Sequence, residues 1–326
     1  MSFSLRPAPE RRRVLLGGLG ALAAIATGPA AFRALAEHSG RRAATRAGLA
    51  FGTTVSLTLA AERDDAFEPA FREAFAAIRA VEAAGSLYRP DSALSRLNRD
   101  GRLDAPDPLL LTMLRFALTL AERSGGAFDP TVQPLWTLWS EGAARGERPG
   151  PQARAEAVAR IGWRHVVADE AGIRFARPGM GITLNGLIQG FAADRVMTAL
   201  GAHGIADAFV DTGEFGAAGA HADGTPWRLG LAAHGDAPTE VIAPFTGFAA
   251  TSGDDATVFS PDRRDHHIFD PTTGLSPTAL SRVSVAAPSG LLADGLSTAA
   301  FVMGETAGGA LVRLYENCSA RFTAKL

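Results

Sequence analysis

With one cysteine, one lysine and two tyrosines among 326 residues, this chain lacks much of the usual catalytic equipment. A single cysteine, Cys318, rules out an internal disulfide as well as Cys-based zinc and iron–sulfur centres. Its setting reads as that of a small buried residue. The only lysine is Lys325, so there is no Walker-type phosphate loop, and a pyridoxal Schiff base is disfavoured. Phosphate bound here has to be met by backbone N–H groups, arginine or a metal. The apolar run VLLGGLGALAAIA, Val14 to Ala26, falls short of the roughly 20 residues of a bilayer span.

What is present is 47% hydrophobic and 20% charged, a balance suited to a soluble globular domain. The N-terminus is of another kind. Arg11-Arg12-Arg13, the apolar run and Ala34-Leu35-Ala36 follow the n-region, h-region and A-x-A order of an export signal. RRRVLL with its weakly hydrophobic continuation resembles the twin-arginine type. Residues 1–36 are therefore set apart as a signal, with 37–326 as the working domain and the periplasm as its expected location. Without that segment, 27 basic groups face 33 acidic ones, a net charge of −6, which argues against a nucleic-acid partner.

Along the mature chain, LAFGTTVSLTL reads as one strand with Leu49, Phe51, Thr53, Val55, Leu57 and Leu59 on a face. Phe67, Phe71, Phe75 and Ile78 have helical spacing, and Pro69 fits a first turn. Ser92 is a candidate N-cap, and PDPLLLTMLRFALTLAERSGG reads as a helix stopped by Gly125-Gly126. AFDPTVQPLWTLW (127–139) breaks the periodicity, 141–152 reads as a surface loop, and WRHVVAD with GIRFA as a hairpin. GITL (181–184) reads as a short strand leading through a glycine turn to a helix with stripe Ala193, Val196, Met197 and Leu200. Strands ADAFVDT, WRLGLA, VIAPFTGFAA and RVSVAAP, helices near Leu291–Met303 and Thr306–Tyr315, and a closing strand SARFTA complete one mixed α/β domain.

Several stretches carry chemistry. Asp294 and Thr298 stand four apart, which puts two oxygens on one helix face and suits a magnesium ion that keeps several waters; an Asp near a helix start also serves as an ordinary cap. Gly186 and Gly190 in TLNGLIQGFAAD could let backbone N–H groups approach a phosphate, or let two elements pack closely. VDTGEFGAAG reads as a glycine-rich turn with Asp211 and Glu214, and ATSGDD places Ser252 outside any G-x-S-x-G elbow. HHIFDPTTG (266–274) puts His267 on a bend, with Asp270 as a carboxylate able to orient its ring; an exposed histidine pair on a turn is the plainer alternative.

The order of these stretches resembles, from about residue 48 to 318, the ApbE family of FAD:protein FMN transferases. The resemblance implies that FAD is cut at its pyrophosphate, FMN passes to a Ser or Thr of a target flavoprotein, and AMP leaves. It casts His267 as the base that takes the acceptor proton. Asp294 and Thr298, with a backbone carbonyl near Ile188, become magnesium ligands. Phe51, Tyr88, Ala127, Phe128, Asp129, Thr183, Gln189, Ser252 and Ile268 become the FAD site. Against the family pattern D-L-G-G-I-A-K-G-Y, the chain has Thr183, Asn185, Gln189 and Phe191 in place of Asp, Gly, Lys and Tyr, so weaker FAD binding is expected. LNGLIQGFAADRV followed by VDTGEFGAAG, behind a twin-arginine-like signal, resembles the NosX branch, accessory to nitrous oxide reductase maturation. A membrane-bound NosR-type flavoprotein is then the expected acceptor. A non-catalytic flavin-binding assembly factor and a magnesium-dependent FAD pyrophosphatase remain open beside the transferase.

Overall fold

The computed structural model describes residues 40–231 and 240–325; the signal expected over 1–36 lies outside them. The frame is one fully antiparallel seven-stranded sheet in the order β1 (Arg42–Ala50), β2 (Thr53–Ala61), β6 (Asp207–Asp211), β7 (Phe215–Ala218), β10 (Gly247–Gly253), β11 (Leu280–Ala287) and β12 (Ser319–Ala324). Helices α1 (Phe67–Gly85), α6 (Ile188–Ala202) and α7 (Gly290–Val312) cover one face. On the other face a hairpin of β8 (Leu229–Leu231) and β9 (Glu240–Ile242) closes over Phe209, Phe215, Trp227 and Phe245. A small sheet of β3 (Arg102–Asp104), β5 (Gly172–Phe175) and β4 (Val166–Ala168) lies beside α2 (Ala93–Asp100) and α3 (Pro108–Arg123). A third apolar cluster joins α4 (Gln133–Ala144) and α5 (Pro151–Val158) to Phe269.

The helices begin and end where their residues dictate. Phe67, Ala70, Phe71, Ala74, Ile78 and Val81 form the buried stripe of α1, and each large side chain among them contributes about 1.5–3 kcal/mol. Ser92 caps α2 by accepting the Ser95 N–H at 3.0 Å, and Asp107 caps α3 by accepting from Leu109 at 2.7 Å.

Several expectations need correction. LAFGTTVSLTL is a hairpin, because Phe51 and Gly52 take φ of 54° and 77° and join β1 to β2 with Ala50 opposite Thr53. Two positive φ values make a type I′ turn, which Phe-Gly does not announce as Asn-Gly would; Leu49 is left exposed. The stretch 127–139 runs through a 3-10 turn at Pro130–Val132 into α4, with Pro134 harmless in its first turn. Because α4 extends to Ala144 and α5 starts at Pro151, only 145–150 remains loop. GITL pairs with no strand among the described residues: the Asn98 amide takes the Ile182 N–H and donates to its carbonyl, both at 2.7 Å, as a neighbouring strand would. VDTGEFGAAG is a hairpin of β6 and β7, and VIAPFTGFAA is split between β9 and β10. The two helices expected after β11 run end to end as α7, with Gly304 non-helical inside it.

Candidate active site

α6 and α7 cross with almost no space between their backbones. A Cβ on Gly190 would lie 2.1 Å from the Gly290 carbonyl oxygen, so both positions require glycine. This settles one alternative, since Gly190 serves close helix packing. The contact lets the Gly190 N–H donate to Asp294 Oδ2 at 3.0 Å. Asp294 is not the cap of α7. Ser289 holds that place and Asp194 of α6 supports it, its carboxylate accepting from Gly290 N–H, Leu291 N–H and Ser289 Oγ at 2.7–3.0 Å. Asp294 is buried, and burial pushes its carboxyl up to about 7.

Hydroxyls gather one turn further along α7. Ser252 Oγ of β10 meets Ser297 Oγ at 2.9 Å and Thr298 Oγ1 at 3.1 Å. Gly186 approaches the same hydroxyl, for a Cβ there would lie 2.8 Å from Thr298 Oγ1. Glu214, in the turn between β6 and β7, accepts the Thr251 N–H at 3.0 Å. It is held well above the usual carboxylate range by burial and by the nearby Asp294. Gly213 has φ 97° and leaves room for the Gln189 side chain, whose Nε2 would lie 2.0 Å from a Cβ at that position. Ile188, first residue of α6, is buried.

Among the described residues no group of three or more His, Cys, Asp or Glu side chains is placed to hold a metal. Yet the donors fit a hard cation. Asp294 and Thr298 offer oxygens one turn apart, and two buried carboxylates raised toward neutrality gain most from a positive charge.

His267 lies on the connection between β10 and β11. Its backbone N–H donates to the Thr257 carbonyl at 3.1 Å, and its Nδ1 lies 3.3 Å from the same oxygen. A carbonyl can only accept, so Nδ1 carries the proton and Nε2 keeps its lone pair. Burial and the adjacent His266 bring its pKa down to about 4, so the ring is neutral near pH 7. His266 is a core histidine with no spare atom: Nε2 donates to the Pro277 carbonyl at 3.0 Å, Nδ1 accepts from Ile268 N–H at 3.3 Å, and the ring meets Phe301 of α7 edge-on. Asp270 does not orient His267. It shapes the bend, accepting Thr272 N–H at 2.8 Å, while Trp139 Nε1 donates to the Gly274 carbonyl at 3.1 Å.

The residues assigned to FAD divide into two groups. Thr183 N–H donates to the Pro130 carbonyl at 2.8 Å, which ties 127–130 to the segment carrying Gly186 and Gln189, and so to Thr298 and Ser252. Both Asp129 oxygens are engaged within the fold, by Thr131 and by the Trp163 N–H. Phe128 and Ile268 are buried, and Ala127 is half-buried. Phe51 and Tyr88 stand together at the β1–β2 turn, where the Tyr88 ring covers Gly52 and Phe51 N–H donates to Glu82 at 2.7 Å. They approach the first group through α1, whose Gly85 abuts Ile188. Tyr88 is 63% exposed, an aromatic face open to solvent. Asp194, Asn98 and Lys325 escaped the site reading because they act on distant backbone, which no spacing reveals.

Buried oxygens on α7 and β10, with a neutral histidine on the connection that leaves β10, suit phosphoryl transfer, which uses positioning more than covalent catalysis. The sequence profile of the ApbE family matches residues 51–322. The FAD:protein FMN transferase of Treponema pallidum is 33% identical over 303 residues, covering 85% of this chain and 83% of that one. The crystal structure of Pseudomonas stutzeri flavinyl transferase ApbE, apo form, superposes with a TM-score of 0.76 at 31% identity, covering 88% and 92% of the two chains. Flavin transferase ApbE from Vibrio cholerae gives 0.76 at 27% identity, covering 87% and 97%. The chain belongs to the ApbE family, a family of transferase enzymes.

Proposed function

We propose that this chain is a magnesium-dependent FAD:protein FMN transferase that esterifies a Ser or Thr of an exported flavoprotein. The observation that carries the reading is the fixed tautomer of His267, which presents a neutral Nε2 as a base. The acceptor hydroxyl gives its proton to Nε2 while its oxygen attacks the FMN-side phosphorus of FAD. The pyrophosphate P–O bond breaks and AMP departs with the bonding electron pair. A base with a pKa of about 4 is weak, but the negative charge of a bound pyrophosphate favours the imidazolium and strengthens it. Asp294, Thr298 and the Ile188 carbonyl would hold the magnesium ion, which would neutralise charge on the pyrophosphate and the leaving phosphate. Phe51, Tyr88 and Phe128 would flank the flavin, with Thr183, Gln189 and Ser252 as polar contacts.

The finer reading is a periplasmic enzyme of the NosX branch that loads a membrane-bound NosR-type flavoprotein and so supports nitrous oxide reductase maturation. Its support is the twin-arginine-like N-terminus together with LNGLIQGFAADRV and VDTGEFGAAG. One observation favours a non-catalytic assembly factor instead: Thr183 Oγ1 accepts the Asn185 N–H at 3.2 Å and Gln189 lies against Gly213, so neither supplies the charge of an Asp or Lys. The deciding experiment mixes the chain from residue 37 with FAD, magnesium and a NosR-type flavin domain, and reads the intact mass of the target. A gain of one FMN, lost with His267→Ala or a chelator, is expected. FAD binding without a gain would favour the assembly factor, and free FMN with unmodified target a pyrophosphatase.

A further inference from the structure

The connection from β10 to β11, residues 254–279, has no helix or strand of its own, yet it carries His267. Loops of this length are uncommon in compact domains and need anchoring. Lys325, just beyond β12, touches it at three places. Its ammonium meets Asp254 Oδ2 at 2.8 Å and donates to the Arg263 carbonyl, and its backbone N–H donates to the Ala279 carbonyl at 3.1 Å. Start, middle and end of the loop therefore converge on one residue. Asp254 is 3% exposed at its side chain and Lys325 16%. Between Asp254 and Arg263 lies Thr257, whose carbonyl accepts from both the backbone and the ring of His267. On the far side, Arg148 grips Asp265 through two hydrogen bonds of 2.7 and 2.9 Å.

We propose that Lys325 is a positioning residue of the transfer reaction: by pinning the loop at Asp254 and Arg263, it sets where Thr257 holds the His267 ring. A buried ion pair adds little net stability, since desolvation offsets the attraction, and its better-attested role is to specify one geometry. Lysine suits the place because one compact ammonium donates in several directions at once. It is the only lysine in a chain that otherwise uses arginine. The inference rests on the transferase reading for its activity readout, but not for its structural one.

The test compares the wild type with Lys325→Met, which keeps the stem and removes the charge, and with Lys325→Arg. Lys325→Met is expected to lower kcat for FMN transfer roughly tenfold or more, as small misplacements of catalytic groups do, with the FAD Kd from flavin fluorescence changed by less than about twofold. Amide exchange should quicken within 254–267 and stay unchanged in α1 and β1–β2. Lys325→Arg should recover only part of the loss, because a guanidinium keeps the charge opposite Asp254 but not the compact geometry of the ammonium. If Lys325→Met does not fold, the double variant Asp254→Asn/Lys325→Met removes the stranded carboxylate and should show the same local loosening. Unchanged exchange in 254–267 overturns the proposal, as does loosening that spreads over the whole sheet together with loss of FAD binding. A wild type that transfers no FMN refutes the transferase reading, while the exchange comparison still decides whether Lys325 holds the loop.

Discussion

Around Asp294 the site oxygens sit on or immediately beside helices and strands, whereas His267 stands on a loop fastened by a few polar contacts. The oxygen cluster owes its geometry to backbone packing: α6 and α7 touch at Gly190 and Gly290, which brings a backbone N–H onto a buried carboxylate. The histidine owes its geometry to side chains reaching across the fold, Lys325 to Asp254 and Arg148 to Asp265. Such a division suits phosphoryl transfer. On the transferase reading, the packed helices would meet the pyrophosphate and the loop would meet the protein acceptor.

The strongest way to separate the two halves is to remove the base alone. His267→Ala should slow FMN transfer by about 10²–10⁴-fold, the usual share of a general base, while FAD binding persists. Loss of both together would show that the loop also builds the FAD site. Gly190→Ala strikes the other half. Its Cβ meets backbone 2.1 Å away, so the helices must part, at a cost of about 1–3 kcal/mol or more. A lower urea midpoint with an unchanged m-value would show it, and an unaltered midpoint would refute the crossing described here.

The pH dependence of stability contrasts the halves in sign. The carboxyl of Asp294, raised from 3.8 to about 7, stabilises the metal-free fold fully below pH 4, and this contribution is lost as pH rises toward 7. His267, lowered from 6.5 to about 4, acts oppositely, so that stability is gained as pH rises from 4 to 6.5. Thermal unfolding of metal-free wild type should therefore lose ground to Asp294→Asn as pH climbs from 4 to 7, and magnesium should stabilise the wild type most above pH 7. Parallel profiles for the two proteins would count against the carboxylate assignment. The smallest effect concerns FAD. Thr183→Asp with Gln189→Lys should tighten its binding roughly tenfold, by exchanging neutral for charge-assisted hydrogen bonds. Titration of flavin fluorescence measures it, and no tightening would mean that these side chains do not reach the ligand.

Much of the fold could be read locally. α1, α3 and β12 follow from periodicity and from Ser, Asp, Pro and Gly at their ends. The misreadings share a cause, which is a local signal imitating another. Alternation continues through the Phe51-Gly52 turn because the strand after it keeps the same period, and GITL imitates a strand although its partner is the Asn98 side chain. Asp294, Thr298 and His267 could be named as candidates from the sequence because their spacing and motif are short-range. Asp194 could not, since a carboxylate that caps a helix 95 residues away leaves no local pattern.

By itself the sequence determined the family, the expected base and the expected cation ligands, since these depend on residue type in short motifs and their order. It also determined the scarcity of lysine and cysteine, and with it the chemistry the chain does not use. Only the tertiary structure decided which nitrogen of His267 carries the proton, that Gly190 packs a helix, and that the lone lysine fastens the loop. Each of these depends on atoms brought together from distant parts of the chain, and hydrogen-bond direction, burial and close contact exist only once they meet.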